Sequence, residues 1–494
     1  MRGTRANGER SIDQDLQGTE AVAGGASTST ARRRPGRRKL GEPIVGRGGD
    51  LPDRSGARRV RRPRSGERGV AVASGRASLK AVARGRVATG HRRLARRWDA
   101  LASLGPGLVA GAADNDPTTV GAVSVVGSTT GYRLAWLAVL VFPALGIVQL
   151  IAAQIGAVTG RDLQAVATAR YGRGWASLLF ASVVATNVVT IAADLEAGAA
   201  ALGLLTGIPG RWFVVPLAAG LLVLLVTRTF GEVEGVLKLT LTGLFAYLVA
   251  AVVAHPNWAS VATGSFVPRL AFDRRELSAA LALLGTTVTS YVYVWQSIGL
   301  AERAGAAALR QARRDALSGA GVSALVIWSI LVSAGRLHAR GLTVHSAQDA
   351  ALALAPLVGH GARYLFGAGL LASALLALPV LIATTAYVAG AQFHWRRGLS
   401  VPARSAGRFY ATMAASAGLG VALSAAGVPA ITMLVVASVV GGLTAPISLS
   451  FLVRTATDVE AMAGRPISRP LALGGWALTA LTVVLAVAYL ALGA

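Results

Sequence analysis

The chain has 494 residues, 53% of them hydrophobic, with a mean hydropathy of +0.54, which is membrane composition and sets aside an ordinary soluble domain. Cysteine is absent, so disulfides, thiolate zinc sites, iron–sulfur clusters and thiol nucleophiles are excluded. The net charge of +26 is uneven: 25 of the 49 basic residues fall within residues 1–97.

That first stretch, 1–97, is rich in Arg, Gly and Ser and has no hydrophobic period. It reads as a disordered cytoplasmic tail lying near anionic lipid headgroups. A basic tail also suggests nucleic acid, but this one has no aromatic residue and no folded binding motif, so no nucleic-acid partner is expected. No short apolar run near Met1 precedes a small-residue cleavage site, so no secretory leader is expected.

Residues 98–494 read as one membrane domain. Apolar segments lie near 101–126, 134–158, 175–205, 212–227, 236–254, 277–300, 316–335, 364–391, 407–425, 430–452 and 471–492, predicting eleven spans with the fourth short. Counting Lys and Arg in alternate loops gives 16 on one side and 8 on the other. The richer side shares the basic tail, which places the N-terminus in the cytoplasm and the C-terminus outside.

The first segment carries Asp114, Asn115, Asp116 and Pro117 in the middle of an apolar run. A carboxylate at mid-bilayer costs about 2.5–3.5 kcal/mol on insertion scales, and proline removes a backbone donor. Both are reconciled if the helix breaks there and turns its freed backbone and carboxylates to a cavity. Asp116, followed by Pro117, Thr118 and Thr119, then offers an anionic oxygen beside hydroxyl and carbonyl oxygens. Hard divalent ions such as Mg²⁺ or Mn²⁺ take such ligands. The freed carbonyl of Ala113 is a further ligand candidate. Asp114 lies about 200° from Asp116 around a helix, so it lines an entry path or caps a half-helix unless the break redirects it.

In the third segment Asp194 and Glu196 lie deep in an apolar run, read as a proton route or a secondary cation station. Glu234 and Lys238, four apart in the fifth, read as a helix-surface ion pair. The sixth segment has Thr286, Thr287, Thr289 and Ser290 beside Gly285. It predicts a second break within 285–290, paired with the first as between the two halves of an inverted repeat. The same hydroxyls also suit simple back-bonding to their own helix. Thr286 and Thr289 join Thr119 as oxygens that touch the ion or its waters. Pro379 and Pro446 predict kinks. The six histidines fall in loops or flanks, so an ion within the membrane must be held by oxygen or by one of four methionines.

Over about Leu101–Pro446 these motifs resemble the natural resistance-associated macrophage protein (Nramp) family of divalent-metal transporters. GPGLVAGAADNDP from Gly105 resembles the family's first-helix signature, whose Asp-Pro-Gly-Asn falls on Asp116, Pro117, Thr118 and Thr119. TGRDL at Thr159–Leu163 resembles the stretch after helix two. IAADLEAGAAALGL resembles helix three, with Asp194 on the acidic position. GTTVTSY at Gly285–Tyr291 falls on the Met-Pro-His motif of helix six. The resemblance implies a LeuT-like fold: an all-α membrane protein of 11 helices, with two inverted five-helix repeats and helices 1 and 6 broken.

The departures bear on the cargo. The family's metal-ligating Asn is Thr119, its Met is Thr289, its Pro is Ser290 and its proton-linked His is Tyr291. The helix-ten Gln position holds Ser438, and the second helix-three acid is Ala197, with Glu196 shifted by one. Replacing a thioether with hydroxyls hardens the site. The pattern is similar to the Nramp-related magnesium-transporter branch. The resemblance implies a carrier of Mg²⁺ or Mn²⁺ that takes the ion as substrate. No nucleophile–base pair or histidine cluster is visible, so an enzyme is not expected; a plasma-membrane monomer without a resident cofactor is. Its ion or proton path would run by Asp114, Asp194, Glu196, Tyr291 and Ser438. Two other readings keep the fold: a symporter of an organic solute, and a transporter-shaped sensor.

Overall fold

The computed structural model describes residues 106–271, 273–302, 306–344 and 361–493; the basic tail, 1–97, lies outside them. Every regular element among the described residues is helical. Without water to satisfy them, backbone groups in hydrocarbon must pair within their own segment, and a helix achieves this with local sequence alone. Nine helices among the described residues are long and apolar enough to cross a membrane. Of the other two apolar segments, the first is divided into two short helices and the ninth forms the 18-residue helix Gly407–Ser424.

The first segment folds as α1 (Pro106–Ala113) and α2 (Pro117–Thr130), separated by Asp114–Asp116. The sixth folds as α3 (Arg274–Thr287) and α4 (Ser290–Glu302), so its break falls at Val288–Thr289. The predicted third span is the inner part of α5 (Leu163–Thr206), which changes direction at Gly172, where φ is +79°. The fifth segment is one 24-residue stretch, Phe230–Val253, that tightens into a 3₁₀ turn at Leu241–Leu244. Pro379 and Pro446 each lie inside a helix, Ala362–Gln392 and Ala430–Thr457. Glu234 and Lys238 pair at 3.2 Å, but the Glu234 side chain is 4% exposed, so the pair is not a surface one.

Small residues bring the broken helices close to their supports. A β-carbon on Gly111 would lie 2.3 Å from the backbone carbon of Gly319, so α1 packs backbone to backbone against α6 (Ala306–His338). On the second broken helix, a β-carbon on Gly285 would lie 2.6 Å from the Gly442 Cα. Interfaces between membrane helices rest on this kind of close packing, because lipid supplies no hydrophobic drive between them. The second broken helix is almost wholly buried, with every residue from Ser290 to Leu300 in the interior.

Candidate cation site

The first break, Asp114–Asp116, is followed by Pro117 at the first position of α2, where a residue that cannot donate costs nothing. Asp116, extended at φ −66° and ψ 165°, caps α2 by accepting from the Thr119 N–H at 2.6 Å. This is ordinary N-cap chemistry placed in the core of a membrane domain. The cap therefore falls to Asp116 and not to Asp114, which corrects the capping role offered for Asp114 from sequence.

A helix leaves its last carbonyls without intrahelical partners, and buried carbonyls need partners. At the end of α1 each is met from nearby. The Asn115 amide donates to Gly111 O and Ala112 O, both at 3.4 Å. Ala113 O accepts from the Tyr291 hydroxyl at 2.7 Å, and Asp114 O accepts from the Thr119 hydroxyl at 2.7 Å. The negative end of α1 and the Asp116 carboxylate thus come together at one point, a favourable place for a cation.

The second break is joined to the first by hydroxyls. Thr119 Oγ1 lies 2.9 Å from Thr286 Oγ1 and 3.3 Å from Thr286 O, which shares its one hydrogen with the nearer Asp114 O. Tyr291, one residue inside α4, also donates to Asp116 Oδ2 at 2.9 Å. Ala113, Asp116, Thr119, Thr286 and Tyr291 are all fully buried, so this conformation seals the cluster from solvent. Thr289 is near but not joined: its hydroxyl reaches only Thr286 O, at 3.5 Å. Ser438 is buried and bonds back to Leu434 O within its own helix, while its carbonyl oxygen packs against Gly285.

The remaining acids divide. Asp194 accepts from both the Thr118 N–H (3.1 Å) and hydroxyl (2.7 Å), so α5 grips the first turn of α2 directly beside the break. Asp114 accepts from Ser323 at 2.7 Å on α6. One oxygen of each has no hydrogen-bond partner among the described residues. Glu196 stands apart. It accepts from Ser424 on Gly407–Ser424, and a two-residue offset from Asp194 turns it about 200° to the other face of the helix. That placement removes it from the path proposed from sequence. Thr118, read from sequence as one of the hydroxyls of the break, is the residue that holds Asp194, whereas nothing local in the sequence marks Ser323.

No group of three or more His, Asp or Glu residues suited to a metal is present among the described residues. The cluster that could receive a cation is instead one carboxylate with carbonyl and hydroxyl oxygens. Such a set suits a hard ion that keeps part of its water.

Comparisons with known proteins agree with this architecture. The family model described as natural resistance-associated macrophage protein-like (Nramp) matches residues 107–492. The divalent metal cation transporter MntH of Ralstonia nicotianae is 33% identical over 288 residues, 55% of this chain and 65% of that protein. MntH of Deinococcus radiodurans is 31% identical over 293 residues, 56% of this chain and 65% of that protein. The aligned part thus spans just under two thirds of these relatives' length. In structure, the chain is similar to the Eremococcus coleocola manganese transporter, solved with an aromatic bis-isothiourea substituted compound. The TM-score is 0.64 at 20% identity, covering 78% of this chain and 85% of that one. It is also similar to MhsT in complex with L-phenylalanine, with a TM-score of 0.51 at 13% identity, over 79% of this chain and 98% of that one. Both likenesses are of the fold. With the family model matching 107–492, well over half of the chain, this chain belongs to the Nramp family.

Proposed function

We propose that this protein carries divalent metal cations through a membrane by alternating access, and that it favours Mg²⁺ and Mn²⁺ over Cd²⁺. The observation that carries the reading is the meeting of the Ala113 carbonyl and the Asp116 carboxylate at a buried helix break. Asp116 supplies the charge and Ala113 O a second ligand. Thr119 and Thr286 contribute oxygens to the ion or its waters, and Thr289 comes within reach if the second break opens. The names of the relatives, divalent metal cation transporters and a manganese transporter, support the cargo class. Selectivity for hard ions rests on the donor set, which is all oxygen.

The sealed cluster is one state of a carrier that must open to each side in turn. Asp114 and Asp194, each with a free oxygen beside the break, are the groups that would pass a proton or steer the ion, in symport or in facilitated transport. The loop charges support a cytoplasmic N-terminus and an outer C-terminus in the cell membrane. Flux of Mg²⁺, Mn²⁺ and Cd²⁺ into proteoliposomes, wild type beside Asp116→Ala, tests the reading. Mg²⁺ and Mn²⁺ uptake lost in the variant is the expected result. Cd²⁺ uptake equal to that of Mn²⁺ overturns the selectivity, and absence of any divalent flux in wild type overturns the cargo.

A further inference from the structure

The two oxygens assigned to the cation above are already bridged by a side chain. The Tyr291 hydroxyl lies 2.7 Å from Ala113 O and 2.9 Å from Asp116 Oδ2. A phenol has one hydrogen to give, so the two acceptors share it, and that hydrogen points at the place where the carbonyl and the carboxylate converge. Asp116 accepts at its other oxygen from Thr119 N, so both of its oxygens are partnered, while Asp114 and Asp194 each keep one that is not. Tyr291 is fully buried and sits at the first turn of α4, directly after the second break.

We propose that Tyr291 is an internal competitor for the cation: its hydroxyl occupies the position between Ala113 O and Asp116, and an entering ion must displace it. The proposal rests on the reading of this cluster as the cation site. A divalent ion bound to both oxygens at about 2.1 Å would face the positive end of the O–H dipole, so hydroxyl and ion exclude each other unless the ring or the second break moves. Residue 291 then does two things. It satisfies a carboxylate and a helix-end carbonyl that burial would otherwise penalise, and it sets a threshold that an ion's binding must exceed. Because Tyr291 stands on α4, any part of that displacement that the ring does not absorb moves the second broken helix and links ion entry to the conformational change.

The test is Tyr291→Phe, which keeps the ring and removes the hydroxyl. Mn²⁺ and Mg²⁺ affinity of the full-length protein in detergent is measured by titration calorimetry, beside wild type and Asp116→Ala. Tyr291→Leu serves as a second variant without an oxygen. The expected result is binding about tenfold tighter in Tyr291→Phe, tighter than wild type in Tyr291→Leu, and a larger rise in unfolding temperature on adding Mn²⁺. Weaker or unchanged binding in Tyr291→Phe overturns the proposal, weaker binding making the hydroxyl a ligand. No divalent binding in wild type or in either Tyr291 variant overturns the cation-site reading itself, and the proposal with it. Binding that survives Asp116→Ala shows that the ion sits elsewhere and likewise overturns both.

Discussion

Two aspartates in this molecule do the same local job with different second partners. Asp162 caps α5 by accepting from the Ala165 N–H at 2.9 Å, and its other oxygen pairs with Arg397 at 2.7 Å. Asp116 caps α2 through Thr119 N at 2.6 Å, and its other oxygen accepts from the Tyr291 phenol at 2.9 Å. Asp162 lies at a span end, where arginine is affordable because its side chain remains about a quarter exposed. Around Asp116 the groups that hydrogen-bond are backbone, hydroxyl and phenol. A neutral partner does not cancel the carboxylate's charge, which is what the cation role proposed for Asp116 requires. On that proposal, what faces the second oxygen separates a structural cap from a functional one.

The largest effect that would break or sharpen this comparison comes from Asp116→Asn. Asparagine caps a helix about as well as aspartate, so the fold is retained while the charge is lost. Mn²⁺ affinity falls by about a hundredfold, near 2.7 kcal/mol, in titration calorimetry. Retained affinity would make Asp116 a cap and nothing more. Asp162→Asn is the matched control. It loses the Arg397 pair and about 1–3 kcal/mol of stability, because a mostly buried charge loses its partner, and divalent affinity stays as in wild type. Thermal unfolding read beside binding separates the two outcomes.

A smaller change is expected from Thr289→Met, which puts a thioether at the second break. The ratio of Cd²⁺ to Mg²⁺ uptake in proteoliposomes should rise severalfold. An unchanged ratio would mean that this position never approaches the ion. Glu196→Gln, on the far face of α5, should leave Mn²⁺ affinity within about twofold, since it removes a charge screened from the break by the helix itself. Affinity lost in that variant would return Glu196 to the ion path.

The smallest effect concerns Asp458, just past the end of Ala430–Thr457. The Ala461 N–H, then the bond and charge of Arg170 and the Glu460 N–H, hold its carboxyl below the ordinary 3.8. A carboxyl depressed in the folded state adds stability that is fully present above its unfolded value and fades as pH falls through the folded one. Wild type should therefore lose a small increment of stability below about pH 4 that Asp458→Asn does not lose. Identical acid profiles for the two proteins would remove this ion pair from the stability of that end. Its partner Arg170 is 40% exposed, which keeps the contribution small.

Much of the molecule was legible in the chain itself. Apolar length located the membrane helices, because a backbone in hydrocarbon has one local solution. Asp-Asn-Asp-Pro identified the first break, because proline cannot donate and aspartate caps. Gly285 and its hydroxyl neighbours located the second break to within three residues. Asp194 was legible as an acid too costly to bury idly.

Its partner was not, nor was that of Asp114. Thr118 and Ser323 lie 76 and 209 residues away from the acids they serve, and local sequence carries no trace of such pairings. Glu196 shows the limit most plainly. Beside Asp194 in sequence it looked like part of the same path, yet a helix turns residues two apart to opposite faces, and packing chose which face met the break. Sequence alone determined where helices form, where they must stop and which side chains are too polar for lipid, since each depends on a few consecutive residues. The tertiary structure decided which oxygens meet, and that a phenol from the sixth segment stands between the Ala113 carbonyl and Asp116. Those contacts are set by how closely glycine-lined helices can approach.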